Sequence, residues 1–396
     1  MPKSDTLQKR KPAPRLGLPA PRLGLLDGLR ITAAVVVVLY HYTAWGHNFW
    51  GQYAPDAWPV LSVATRYGQI GVQLFFLISG FVILMSLQGK SVIQFIGSRV
   101  GRLYPAYWVA VLAAALLSFV IWPSIADGRA PSDILPNLTM MQTAFEVRHL
   151  DGVYWTLWVE LRFYILLGVM LLCGLITNKS IMLLSVLWPA LGLYLHFTSY
   201  AKLQEWIAGP YAALFAAGMV LYLIYRSGHS VLRWLAVAFN TVIAAYFTGF
   251  KGSEDALQLS NMHVPAWHFQ LLIVLCVGLL ALCTLTPLKH VQAKWLAVAG
   301  SLTFPLYLFH QLWGWWIIEQ LHGQVNKYLL LAGTIAVLML WSYAVVRFIE
   351  NPLGLLLRNG TIAGLTKAKA AVRIVFAKPD VAIPESKYRQ SWPQSR

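Results

Sequence analysis

A few ionisable side chains interrupt the long apolar stretches of this chain: His41, Glu160, Arg162, His196 and His310, with Arg30 and Glu350 at the edges of such stretches. Ionisable groups in sequence that must face lipid are expensive, so each is a candidate for chemistry. His41 follows Arg30 by eleven residues. On a helix that spacing is roughly 16 Å of rise and a residual rotation near 20°, so the two share a face. Asp27 falls on the same face if the helix begins that early. One face then carries an acid–base pair at its inner rim and an imidazole about halfway across a bilayer. A neutral imidazole at that depth can accept a proton from a hydroxyl. The plainer reading is a buried histidine that hydrogen-bonds a neighbouring helix.

Arg99 and Arg102 form an R-x-x-R pair just before Pro105. Such a pair projects together on a helix, and proline suits a first helical turn. Two guanidiniums beside free helix N–H groups favour an anion, phosphate above all. The plainer reading is a pair of membrane-flanking arginines resting on lipid phosphates. Glu160 sits toward the expected outer end of its helix, and Arg162 points to a different face. His310 is expected roughly 20 Å from the inner end of its helix, closer to the outside. His196 reads as interfacial. Ser79-Gly80 reads as a site of close helix packing rather than a nucleophile. Cys173, Cys276 and Cys283 read as small apolar packers. The chain has no glycine-rich phosphate loop, zinc-type histidine pair or nucleophile elbow, so no metal is expected.

Helices long enough to cross a bilayer must hold these groups. Hydrophobic residues make up 58% of the 396 and charged residues 12%, so the solvent for this chain is lipid. Ten runs reach the ~20 apolar residues that a bilayer requires. They lie at 29–47, 69–88, 103–122, 154–176, 181–198, 206–225, 231–250, 267–286, 297–318 and 328–348. The expected class is an all-α polytopic membrane protein. With the N-terminus in the cytoplasm, 24 of the 31 Lys and Arg residues fall on inner segments and six on outer ones. That bias predicts both termini inside. The net charge of +16 then reflects topology and contact with membrane lipids, not nucleic-acid binding. The expected organisation is a basic N-terminal tail (1–23) with no cleavable signal, a membrane domain (24–353) and a basic, loosely ordered C-terminal tail (354–396). The connection at 123–153 should carry local structure. It contains a glycosylation sequon, Asn137-Leu138-Thr139.

Six elements occur in a fixed order. They are Leu26-Asp27-Gly28-Leu29-Arg30 with His41, Phe75 to Phe81, Arg99 to Trp108, Trp155 to Tyr164, Tyr307 to His310, and Glu350 to Pro352. In this order they resemble membrane-bound acyltransferase family 3, the O-acetyltransferases of bacterial glycans, in its short form without a soluble esterase-like domain. The resemblance spans roughly residues 24–353. Two positions depart from it: Ile31 stands where the family often has glycine, and Gln73 where an acidic residue is common.

The resemblance implies an acyl-coenzyme A donor, acetyl in the simplest case, arriving from the cytoplasm with no permanently bound cofactor. It implies a hydroxyl acceptor on a carbohydrate or lipid-linked glycan, and residence in a bacterial inner membrane. In that scheme His41, Arg30 and Glu160 are catalytic. Arg99 and Arg102 hold the donor's phosphates, and His310, Asp27 and Tyr307 serve the acceptor side or the structure. His41 either takes the acceptor's proton or carries the acyl group itself. The competing class is a transporter or flippase that uses His41, Glu160 and His310 as a polar path.

Overall fold

The computed structural model describes residues 23–376. The basic segment 1–22 and the end of the C-terminal tail, 377–396, lie outside the described residues. Eleven helices of eighteen residues or more organise the rest. They are α1 (Gly24–Thr43), α2 (Ile70–Leu87), α3 (Val92–Leu116), α4 (Trp155–Leu172), α5 (Asn178–His196), α6 (Gly209–Ser227), α7 (Val231–Ser260), α8 (Ala266–Leu285), α9 (Lys294–Leu321), α10 (Lys327–Val345) and α11 (Asn351–Phe376). There is no strand among the described residues. Lipid offers the backbone no hydrogen bonds, so helices that satisfy their own are the natural solution.

Among the described residues, nine segments are long and apolar enough to span a bilayer. The remaining expected run lies in α9, whose polar side chains, His310 and Gln311 among them, dilute its hydropathy. The expected spans are otherwise recovered, with three shifted ends. α1 begins at Gly24, which brings Asp27 into the helix. α3 begins at Val92 behind a Ser91–Gln94 capping box, eleven residues before the apolar run. Arg99, Arg102 and Pro105 therefore lie inside the helix, and not beside its free N–H groups as the sequence had suggested. α7 continues to Ser260.

Position in the bundle follows from packing. α1 lies between α2 and α9, and α9 also meets α3 and α10. α2 crosses α6 at close range through two glycines. A Cβ on Gly80 would fall 2.1 Å from the Phe215 carbonyl oxygen, and one on Gly218 would fall 2.1 Å from that of Leu77. The packing role read for Ser79-Gly80 therefore belongs to Gly80. α5, α7 and α8 complete the bundle around α6.

Two expectations change. Residues 351–376 form a helix, α11, laid against α3. The tail is therefore not loosely ordered up to residue 376. The sequon residue Asn137 is also fully buried. Its amide donates to the carbonyls of Asp133 and Arg148 and accepts from the Leu150 amide. The Tyr107 hydroxyl donates to its backbone carbonyl. Asn137 organises the connection over the end of α3, and its side chain has no nitrogen free to carry a glycan.

Candidate active site

Two cavities meet inside the bundle. The smaller, about 230 Å³, is walled by α1, α2, α3, α4 and α9. Arg30, Arg99, Arg102, Glu160, Ser79 and Tyr164 supply its polar lining. The larger, about 950 Å³, contains His41 under an aromatic wall of Trp45, Trp155, Tyr211, Tyr246 and Trp315. Its polar lining includes Gln73, Gln311, Lys251, Glu254 and Asp255. Val72 and Tyr307 line both cavities and form their common wall.

The smaller cavity is cationic: three guanidiniums face one carboxylate. Arg102 is paired with Glu350, so the end of α10 is tied to α3. Arg99 lies over the rings of Phe95 and Tyr164, 5.8 and 5.6 Å from their centroids. Its Nε is buried without a hydrogen-bond partner. Asp27 and Glu160 both act electrostatically on Arg30. Asp27 stands against α9, where a Cβ on Gly300 would fall 2.5 Å from the Asp27 Cβ.

Glu160 is the main relocation. It was expected toward the outer, acceptor side, yet it faces the arginines and accepts a hydrogen bond from the Ser79 hydroxyl at 2.8 Å. The sequence named no partner for it because that partner lies on another helix. Arg162 points away as expected and donates to the Glu205 carbonyl. His196, read as interfacial, lines the larger cavity.

His41 and His310 come together from α1 and α9. His41 Nδ1 is 2.9 Å from the Val37 carbonyl oxygen and 3.3 Å from His310 Nε2. His310 Nδ1 is 2.7 Å from the Tyr307 carbonyl oxygen. Carbonyl oxygens only accept, so Nδ1 carries the hydrogen on both neutral rings. His41 Nδ1–H is then shared between Val37 and the lone pair of His310 Nε2. The tautomer left by these bonds puts the lone pair of His41 on Nε2. No protein partner among the described residues engages that atom.

The surroundings fix the ring. Trp45 stacks on His41 at 5.0 Å between centroids. The His41 carbonyl accepts from Trp315 Nε1 and meets His47 Nε2, both at 3.0 Å. The Tyr42 hydroxyl donates to the His310 carbonyl at 2.6 Å. Tyr307 donates to the Val153 carbonyl and accepts from Thr156, which holds the common wall in place. Sequence reasoning missed Trp45, Trp315, Gln311 and the Lys251–Glu254–Asp255 group. Gln311 did carry a signal, as a second polar residue beside His310 in an apolar run.

A family model described as an acyltransferase domain matches residues 24–347. Acyltransferase MdmB of Streptomyces mycarofaciens is 32% identical over 150 residues, 36% of this chain and 38% of MdmB, so the chain spans well under half of that relative. Nodulation protein 10 of Rhizobium leguminosarum bv. viciae is 25% identical over 74% of this chain and 87% of its own length. BcsY of Komagataeibacter xylinus, whose name describes a membrane-bound transacylase, is 26% identical over 89% of this chain and 90% of its own length. No solved structure matches. The chain belongs to acyltransferase family 3 and is an integral membrane enzyme that transfers acyl groups other than amino-acyl groups.

Proposed function

We propose that the protein moves an acyl group, acetyl in the simplest case, from an acyl-coenzyme A donor to a hydroxyl of a glycan or lipid-linked sugar in a bacterial inner membrane. The observation that carries this reading is the pair of cavities meeting at Val72 and Tyr307, one cationic and the other aromatic with His41 on its wall. Phosphates of the donor suit Arg99, Arg102 and Arg30. The extended arm of the donor brings the thioester to the common wall. Aromatic faces with a few amides and carboxylates suit a polyhydroxyl acceptor.

In the reaction, the acceptor hydroxyl gives its proton to His41 Nε2 as its oxygen bonds to the thioester carbonyl carbon. The carbon–sulfur bond then breaks. The thiolate leaves and takes the proton from the imidazolium, which restores neutral His41. His310 holds the opposite edge of the ring throughout.

The test uses the purified protein in lipid nanodiscs with labelled acetyl-coenzyme A, and surface glycans compared with and without the gene. His41→Ala should abolish transfer while the protein still inserts and accumulates. Near-normal transfer by that variant would remove His41 from the chemistry. An unchanged glycan acylation pattern on loss of the gene would remove the acceptor class.

A further inference from the structure

The smaller cavity, about 230 Å³, is tight for a whole nucleotide-bearing donor, since pockets that bury drug-sized ligands run to roughly 300–1,000 Å³. On the donor reading above, the nucleotide end of the donor must therefore stay at the mouth of the cavity, next to the start of α3. α11 is packed there.

The contact between α3 and α11 is close. A Cβ on Gly101 would lie 2.4 Å from the Gly354 carbonyl oxygen and 2.8 Å from the Arg358 Cβ. A Cβ on Gly97 would lie 3.0 Å from the Arg358 carbonyl oxygen. Arg358 is thereby anchored against the two helical turns that bear Arg99 and Arg102. Lys90 immediately precedes the Ser91 cap of α3. Burial, together with the charges of Arg99 and Arg358, lowers the pKa of its ammonium. Lys90, Arg99 and Arg358 thus converge. Among the described residues none of the three is paired with a carboxylate, whereas Arg102 is held by Glu350. Like charges gathered without an acid repel one another and create a strong field for an anion. α11 also lies beyond the matched family segment, which ends at residue 347.

We infer that Arg358 on α11 and Lys90 form an outer phosphate subsite, which takes the 3′-phosphate of the donor's nucleotide while Arg99 faces the diphosphate. The shared chemistry is a phosphate anion, and a lipid headgroup is the other source of it. The assignment gives the C-terminal helix a part in donor selection.

The experiment uses the full chain in phosphatidylcholine nanodiscs and compares acetyl-coenzyme A with its 3′-dephospho form. The wild type should prefer acetyl-coenzyme A, and the Lys90→Gln/Arg358→Gln variant should lose that preference. The expected loss is about tenfold or more in kcat/KM, the scale of charge-assisted hydrogen bonds. It should fall on acetyl-coenzyme A alone and appear as a higher KM. A variant that keeps the wild-type preference overturns the subsite. So does a variant whose only change is a lost response to added phosphatidylglycerol, which would assign the cluster to lipid. A wild type that uses neither donor overturns the donor reading itself, and the subsite with it. Far-ultraviolet circular dichroism and melting of the variant, matched to the wild type, separate these outcomes from misfolding.

Discussion

His310 Nε2 stands 3.3 Å from His41 Nδ1, and the two rings meet edge to face at 74°. The contact joins α1 to α9 at the Nδ1 edge of His41, which the Val37 carbonyl also engages. In the proposed reaction His310 positions the His41 ring and its tautomer. His310→Ala should lower kcat by roughly 10²-fold, the low end of what a placed general base contributes, with the donor KM little changed. His310→Gln, whose amide oxygen can accept from Nδ1–H, should recover part of that loss. Equal, near-wild-type rates for both variants would show that the contact has no part in turnover. A shifted pH–rate profile in the alanine variant would separate positioning from simple packing.

The Ser79 hydroxyl donates a hydrogen bond from α2 to Glu160 on α4, across the smaller cavity. Ser79→Ala leaves that carboxylate facing the arginines without it. Loss of a hydrogen bond to a charged group costs about 1.5–3 kcal/mol, so initial rates should fall about tenfold or more. Glu160→Gln removes the charge as well and should lose more. A Ser79→Ala enzyme with wild-type rates would mean that Glu160 is oriented by other groups.

Asp151 is buried just before α4 and accepts from the amides of Val153 and Leu312. Burial raises its pKa from 3.8 to about 7. Burial also holds His47 and His149 down from 6.5 to about 4. The signs oppose one another. Folded Asp151 keeps a proton that the unfolded chain gives up above pH 3.8, so its contribution to stability falls as pH rises toward about 7. Unfolded His47 and His149 take protons below 6.5 that the folded chain refuses, so their contribution falls as pH drops toward about 4. Melting temperatures should peak near neutral pH. Asp151→Asn should gain on the wild type as pH is raised from acid to neutral, as read by scanning fluorimetry. A gap between the two that is constant with pH would contradict this account of Asp151.

Part of this architecture is legible in the chain itself. Arg30 and His41 are on one helix, where spacing alone fixes their common face, and long apolar runs announce the spans. Helix-to-helix relations are less accessible. Glu160 turns toward Ser79, 81 residues away, and Arg102 finds Glu350 at a separation of 248. Nothing local encodes either pairing. Trp45 and Trp315 carry no local mark of the cavity wall that they form once the bundle gathers them. α11 is basic and weakly apolar, so it reads as a tail, and only its glycine contact with α3 reveals a packed helix.

The common wall of the two cavities has an evolutionary consequence. Val72 and Tyr307 are the two residues that touch both spaces. Mutations among Tyr246, Phe250 and Trp315 touch the lining of one space alone, while changes at Phe304 or Ile83 touch that of the other. A lineage built on this plan can change what enters one side without relearning the other, and its history should record independent drift on either side of an almost unchanging pair.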